Sequence, residues 1–345
     1  MIKVGIIGAT GYAGQSLFYL LHIHSKACIE FITSHNYADM DYSDVYKNYK
    51  GFISDVCIKE DDVKYKINSV DVIFTALPHG KSFDIVKFAL EKNVKVIDIG
   101  SDFRIKDVLT YEKWYKVKHE AQKYLNEAIY GLPEINREKI KSSRIVANPG
   151  CYPTSCLLAL MPALKEDLID KTSIIIDSKS GVSGAGRAAN IGTLFCECSE
   201  SIKAYGVCEH RHIPEIEQEL SNISGEEINI IFTPHLVPMI RGILSVCYLR
   251  LKKDIDEEMI YKIYKSYYSN EPFVRVVPYL PETRYVKGSN ICDISLRVDK
   301  RTGSLIIISA IDNLIKGAAG QAVQNMNLMF GIDEASGLKF PSMIP

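Results

Sequence analysis

The sequence predicts an α/β protein in two parts: a doubly wound parallel sheet, then an α+β domain built on a mixed or antiparallel sheet. Three observations carry this prediction. The chain has 345 residues, more than one ordinary core accommodates, so two domains are expected. Its first half alternates short apolar runs with helical stretches, the order that builds βαβ units. After about Gly150 the alternation gives way to β-rich segments with few helices between them.

Taken in order, Lys3–Ile7, Ile29–Thr33, Val72–Ala76, Val94–Asp98 and Arg144–Ala147 read as strands, with Gln15–His22 and Ser82–Lys92 as helices between them. Several of these runs are continuously apolar, which suits parallel strands buried on both faces. In the second half Ser173–Asp177, Ile228–Phe232, Ile243–Leu251, Ile291–Val298 and Ser304–Ile311 read as strands, and Ser155–Leu164 as an apolar helix. A last helix is expected from Asn313 to Met329, rich in Ala, Gln and Met and able to return to the first domain. The expected division is 1–150 plus 313–345 for the first domain and 151–312 for the second.

Composition removes several classes of function. The chain is 47% hydrophobic and 24% charged, with a formal charge of −1, and shows no basic stripe of the kind nucleic-acid binders carry. It opens on the apolar run Ile2–Ile7 without a charged leader, and no apolar stretch is long enough to span a bilayer, so a cytoplasmic location is expected. Nine irregularly spaced cysteines do not form a disulfide framework. Cys196 and Cys198 have no second close pair to complete a zinc site, and no metal is expected. Most of the thiols read as small buried hydrophobes.

Strand Lys3–Ile7 runs into Gly8-Ala-Thr-Gly11-Tyr-Ala-Gly14 and then a helix. Glycines at these spacings allow a tight turn, close backbone approach to a pyrophosphate and close packing of helix on strand. The helix N-terminus then offers N–H groups and the positive end of its dipole. This marks a Rossmann-type dinucleotide site contributed by Gly8, Thr10, Gly11, Tyr12, Ala13 and Gly14. The second strand ends Thr33-Ser34-His35-Asn36, without the carboxylate that holds the ribose 2′-hydroxyl of NAD. Ser34 as a donor and His35 as a partial positive charge favour a 2′-phosphate, hence NADP(H), although Asp39 stands close by.

Asn148-Pro-Gly-Cys151-Tyr-Pro-Thr154 follows a strand and precedes the helical run. Cys151 is therefore expected on a stiff turn just before a helix N-terminus, where dipole and N–H groups favour a thiolate nucleophile. Cys156, one turn further on, reads as core. Glu209-His210-Arg211-His212-Ile-Pro-Glu215 gathers two acid/base candidates and a cation. Ser180-Gly-Val-Ser183-Gly184-Ala-Gly186-Arg187 is a glycine-rich loop with an arginine suited to an anion, and Arg104 follows another strand. Together they point to an anionic substrate.

At these residues the chain resembles the N-acetyl-γ-glutamyl-phosphate reductases, NADPH enzymes of arginine biosynthesis within the aspartate-semialdehyde dehydrogenase superfamily. The resemblance runs over the whole chain. It includes Gly8–Gly14, Leu77-Pro-His-Gly80, Ser101-Asp-Phe-Arg104, Tyr130-Gly-Leu-Pro-Glu134, Asn148–Cys151, Ser180–Arg187, His210–Glu215, Pro234-His-Leu-Val-Pro238 and Asp312-Asn-Leu-Ile-Lys-Gly317. Where His35 stands, family members often carry arginine. The resemblance implies a Rossmann domain with a catalytic and dimerisation domain, in a homo-oligomer (dimer or tetramer) acting on a small molecule. It implies Cys151 as the nucleophile of a thioester mechanism and His210 or His212 as the acid/base. Substrate and phosphate contacts fall to Arg104, Asn148, Ser183, Arg187 and Glu215. Further cofactor contacts fall to Leu77, Pro78, Ser183, Gly184 and Asn313. Two alternatives fit the same residues: a reductase of N-modified α-aminoadipyl phosphate, one methylene longer, and a non-catalytic NADP-binding regulator.

Overall fold

Each half of the chain is organised by one seven-stranded sheet, and the computed structural model, which describes residues 1–342, groups them into two units. The first unit comprises Met1–Pro149 with Ala318–Lys339, the second Gly150–Gly317 with 340–342. Residues 343–345, assigned by the sequence to the first domain, lie outside the described residues.

The strands of the first unit are β1 (Ile2–Ile7), β2 (Ala27–Thr33), β3 (Cys57–Ile58), β4 (Val72–Thr75), β5 (Lys95–Asp98), β6 (Ile129–Tyr130) and β7 (Ile145–Ala147). Their order is β3-β2-β1-β4-β5-β7-β6, and every pairing is parallel. β4 and β7 are buried along their whole length, which is why their sequences read as unbroken apolar runs. β1 pairs with β2 on one side and β4 on the other, so the winding reverses at its C-terminal end. In open α/β sheets that reversal opens the crevice where ligands bind.

The helix Gly320–Met329 packs within this unit against β5 and the helices Tyr12–His22 and Pro133–Lys141. It is buried all round, including Gln321, Gln324, Asn325 and Asn327. These polar residues are anchored: Gln321 and Asn325 donate to the Gly131 carbonyl at 3.1 and 2.8 Å, and Asn327 donates to the carbonyls of Glu334 and Ser336. The expected helix from Asn313 instead opens on a π-helical turn, Ile315–Ala319. Asn313 itself belongs to the second unit.

That unit contains β8 (Ile175–Gly181), β9 (Lys203–Ala204), β10 (Ile231–Val237), β11 (Ile243–Arg250), β12 (Val274–Val276), β13 (Cys292–Asp299) and β14 (Ser304–Ile311). The order is β12-β13-β14-β11-β8-β10-β9, with β8/β10 and β12/β13 parallel and the other pairs antiparallel. The mixed form is the one observed. β8 and β10 extend further than their apolar runs suggest. Ser178 and Ser180 carry the inner face of β8 beyond Asp177, and the ladder continues from Ile175↔Ile231 to Gly181↔Val237. Helices Ile213–Ser224 and Glu257–Tyr267 add to Cys151–Lys165, so the region is less purely β than its texture implied.

Cys151–Lys165 lies on β11 and β14 and beside Ile213–Ser224. Its underside is held by buried hydroxyls. Ser155 meets Ser309 at 2.6 Å and Ser245 at 3.0 Å, and Ser245 meets Ser178 at 2.8 Å. On the opposite sheet face Ile175, Ile231 and Tyr248 are 40%, 59% and 40% exposed.

Candidate functional site

The dinucleotide half of the site is built at the C-terminal end of β1. Gly8 has φ +86°, and a Cβ there would lie 2.7 Å from the Ala76 carbonyl oxygen, so neither backbone nor space admits a side chain. At Gly14 a Cβ would lie 2.3 Å from the Gly8 oxygen, which is how the helix Tyr12–His22 sits directly on the strand. Gly11 differs: its nearest neighbour would be 3.9 Å away. It caps the helix without a side-chain hydrogen bond, and the first turn carries no acidic residue. This is the cradle that an anionic pyrophosphate fits.

The loop is braced from below. Gly8 N–H donates to Thr33 Oγ1 at 3.0 Å, Tyr42 OH to the Ala9 carbonyl at 2.9 Å and Tyr46 OH to the Thr10 carbonyl at 2.8 Å. Neither tyrosine was found from sequence, because their segment carries no period or motif. Thr10, Tyr12 and Ala13 lie on the accessible rim of the loop, with Tyr12 exposed.

Ser34 is turned inward. It is 1% exposed, its hydroxyl pairs with Thr10 Oγ1 at 2.7 Å, and it accepts from the Tyr37 N–H at 3.2 Å. It orients Thr10 from inside the loop. The exposed neighbours at the strand tip are His35 and Asn36. Leu77 is half-buried and Pro78 exposed on the loop after β4. Asp102 pins that loop, accepting from Gly80 N–H at 2.7 Å, Ser82 Oγ at 2.7 Å and Tyr111 OH at 2.7 Å.

Arg104 and Asn148 are tied inward as well. Arg104 is 6% exposed and donates through Nε to the Asn148 carbonyl at 2.7 Å and through Nη2 to the Ile99 carbonyl at 2.8 Å. Asn148 donates to the Ala318 carbonyl at 3.1 Å and accepts from Asn325 at 3.0 Å. Both tie the backbone after β5 and β7 within the first unit through these bonds.

The thiol half begins where Gly150 caps the helix Cys151–Lys165. Cys151 is thus the first residue of the helix rather than a residue ahead of it, and its side chain is half-buried. Pro153 has no N–H and the Thr154 N–H closes the first helical bond to Gly150 at 2.9 Å. Glu215, expected as a substrate contact, is fully buried, and its carboxylate accepts from the Gly150 N–H at 2.8 Å. It holds the cap. Losing that acceptor would leave a buried N–H unpaired, at about 1–3 kcal/mol.

His210 is enclosed by rings: Tyr152, Tyr205 and Phe232 each lie 5.4 Å away edge-on, and His212 lies 4.9 Å away. Its Nδ1 accepts from the His212 N–H at 3.1 Å. Burial, with a smaller contribution from Arg211, lowers His210 to about 4. His212 caps the helix Ile213–Ser224. Tyr152 and Tyr205 share a hydroxyl contact of 3.0 Å, and burial raises the Tyr205 phenol to about 12. Cys57 and Cys156 are raised by burial to about 11 and about 12.

These histidine surroundings have a measurable consequence. Between pH 6.5 and about 4 the unfolded chain protonates His210 and the folded chain does not, so stability falls as pH falls through that window. Asp98, raised by burial and by Asp102, acts in the opposite sense, so parent and variant must be compared. Relative to the parent, His210→Asn should therefore gain stability as pH falls from 6.5 to about 4, the difference being read by urea titrations at each pH. An unchanged slope would contradict a buried neutral His210.

The anion loop is short and well tied. Ser183 is 7% exposed, and its hydroxyl accepts from Asn313 Nδ2 at 3.0 Å, while Asn313 Oδ1 accepts from Gly242 N–H at 2.8 Å. Asn313 thereby joins the start of this loop to the turn before β11. Gly184 is exposed and Arg187 half-buried. Among the described residues, no three His, Cys, Asp or Glu side chains form a metal-binding group.

Comparison with known proteins separates the same two halves. The model described as semialdehyde dehydrogenase, NAD binding domain, matches residues 3–143, and that described as semialdehyde dehydrogenase, dimerisation domain, matches 151–313. An N-acetyl-gamma-glutamyl-phosphate reductase of Clostridium novyi is 53% identical over 344 residues, covering 100% of each chain. That of Lachnospira eligens is 52% identical over 349 residues, again covering 100% of each. The chain belongs to the N-acetyl-gamma-glutamyl-phosphate reductase family. It is an oxidoreductase of the semialdehyde dehydrogenase type. Aspartate semialdehyde dehydrogenase II from Vibrio cholerae, complexed with ASA, shares the fold at 20% identity. Its TM-score is 0.74, over 96% of this chain and 98% of that one. Aspartate semialdehyde dehydrogenase with NADP from Candida albicans does so at 18% identity and TM-score 0.70, covering 96% and 98%.

Proposed function

We propose that the chain reduces N-acetyl-γ-glutamyl phosphate to N-acetylglutamate 5-semialdehyde with NADPH, releasing phosphate, as a step of arginine biosynthesis. The observation that carries this is Cys151 at a helix N-terminus whose next residue, Tyr152, packs against His210 and His212 with ring centroids 5.4 and 5.9 Å away, in a chain 53% identical to a reductase of that name.

The Cys151 thiolate attacks the acyl carbon and the acyl–phosphate bond breaks, leaving a thioester and inorganic phosphate. The developing oxyanion is met by backbone N–H groups near Cys151 at the start of this helix. Arg187 holds the departing phosphate. NADPH, when bound, supplies a hydride to the thioester carbon. His210, kept neutral by its surroundings and with Nδ1 accepting from the His212 N–H, carries its hydrogen on Nε2, from which it donates a hydrogen bond to the thiohemiacetal oxyanion until that anion collapses. The C–S bond then breaks, freeing Cys151 and the aldehyde. Cysteine suits this better than serine because a thioester accepts hydride more readily than an ester.

Gly8, Gly11 and Gly14 cradle the pyrophosphate with Thr10, Tyr12 and Ala13 at its rim. Leu77 and Pro78 lie on the neighbouring loop, and His35 faces the 2′-phosphate. The enzyme works in the cytoplasm as a homo-oligomer, its copies joined through the sheet face bearing Ile175, Ile231 and Tyr248. Light scattering at the monomer mass would refute that assembly.

The test of the reaction is its reverse. With NADP⁺ and N-acetylglutamate semialdehyde, NADPH should appear only when phosphate is added. Aspartate semialdehyde should be a poor substitute. Equal or better activity with it would sink the substrate assignment.

A further inference from the structure

We propose that the segment Asp312–Gly317 positions the Cys151 thiol, with Asp312 as the positioning residue that sets it. The inference rests on the reading of Cys151 as the nucleophile. It begins with a contact that leaves no slack. A Cβ built on Gly317 would lie 2.7 Å from Cys151 Cβ and 3.1 Å from Cys151 Cα. The Gly317 backbone is therefore a wall against the base of the thiol side chain. It bars Sγ from one side and narrows the rotamers that Cys151 can take.

What holds that wall is a π-helical turn. The Gly317 N–H bonds to the Asp312 carbonyl at 2.9 Å, an i→i−5 bond, at the head of the turn Ile315–Ala319. Turns of this width are rare and concentrate at functional sites. Asp312 secures the turn with its side chain as well. It is fully buried, and Oδ1 accepts from Leu314 N–H at 2.8 Å and Ile315 N–H at 3.0 Å. Oδ2 accepts from Gly288 N–H at 2.7 Å, with Arg241 Nη1 at 3.8 Å. One carboxylate thus fixes both the start of the turn and its seat on the loop at Gly288. The neighbouring Asn313 ties the same segment to Gly242 and Ser183. Asp312 need not touch substrate to matter. It sets where Gly317 stands, and Gly317 sets where the sulfur points.

The experiment measures the thiol itself alongside turnover. Gly317→Ala forces the contact apart. Asp312→Ala removes every side-chain acceptor from the turn. Asp312→Asn keeps an oxygen for Leu314 and Ile315 but sets an amide N–H against Gly288 N–H and Arg241. For each folded variant, kcat, KM, NADPH affinity and the pH-dependent rate of Cys151 alkylation by iodoacetamide are compared, with labelled peptides resolved by mass spectrometry.

The expected result is a kcat drop on the order of 100-fold for Gly317→Ala and Asp312→Ala, with KM and NADPH affinity held within about 3-fold. Asp312→Asn should fall between these variants and the parent. The Cys151 alkylation profile should shift in the same order. Parental kcat and alkylation in Gly317→Ala would overturn the proposal, as would losses that follow only the unfolded fraction. If Gly317→Ala fails to fold, the Asp312 pair decides by the same criteria. Alkylation requires no acyl substrate, so a wrong substrate assignment and a wrong positioning role give different results.

Discussion

Replacing Cys151 with alanine should lower turnover by about 10⁴-fold or more while leaving the fold and NADPH binding intact. The size follows from the role. Without the thiol no thioester forms, and hydride transfer to the acyl phosphate lacks a tethered acceptor. The fold survives because Cys151 is the first residue of its helix and only half-buried. The cap at Gly150 is held by Glu215 rather than by the thiol. Cofactor binding survives because the glycine cradle belongs to the first unit. Cys151→Ser should also be nearly inactive, since a hydroxyl is a far weaker nucleophile at neutral pH and its ester accepts hydride poorly. Cys156→Ala offers the contrast. Cys156 is fully buried, and its effect should appear in thermal stability. Steady-state NADPH oxidation and thermal melts on the three variants check this. Near-parental turnover in Cys151→Ser would remove the covalent mechanism.

The second large effect is expected in the glycine loop, where two glycines should fail for different reasons. At Gly14 a methyl would sit 2.3 Å from the Gly8 oxygen, a backbone atom that cannot move aside without lifting the helix from β1. Overpacking of this kind costs roughly 1–3 kcal/mol, so Gly14→Ala should lower the melting temperature and weaken NADPH by about 10- to 100-fold. At Gly11 the nearest atom would be 3.9 Å away, so Gly11→Ala fits the free protein. It should weaken NADPH by obstructing the approach of the pyrophosphate while leaving the melting temperature near that of the parent. Fluorescence titration of NADPH with parallel melts separates the two. Unchanged affinity in Gly11→Ala would mean that phosphate does not approach that face.

Much of this architecture was legible because its elements have simple causes. β4 and β7 are buried on both faces and read as apolar runs. The glycine loop announced itself by spacing, since Gly8 and Gly14 have no room for Cβ. The cysteine segment announced itself by a cysteine between two prolines. The second sheet was less clear, because Ser178 and Ser180 are buried through hydroxyl and backbone bonding, and a hydrophobicity pattern ends at Asp177.

Side-chain roles were the least legible. An arginine in a polar motif signals an anion, yet Arg104 turns inward to two carbonyls. Ser34 sits at the strand tip where a donor belongs, but its oxygen is engaged with Thr10 and Tyr37. Glu215 was read toward substrate and instead holds the Gly150 N–H. In each case residue type and position were apparent, while the partner depended on chain segments distant in sequence. Gly317 belongs to the same group: its contact with Cys151 joins residues far apart in the chain, and no local pattern encodes it.

The central claim is that Cys151 carries the acyl group, and it is tested most directly by stopping the reaction before reduction. Enzyme is mixed with N-acetyl-γ-glutamyl phosphate in the absence of NADPH, quenched in acid and digested for mass spectrometry, with released phosphate measured in parallel. The mechanism predicts a burst of about one phosphate per Cys151 site. It also predicts a Cys151 peptide heavier by one N-acetylglutamyl group, and loss of that adduct when NADPH is added before the quench. An unmodified Cys151 peptide and no phosphate burst, from enzyme that turns over normally once NADPH is supplied, would contradict it.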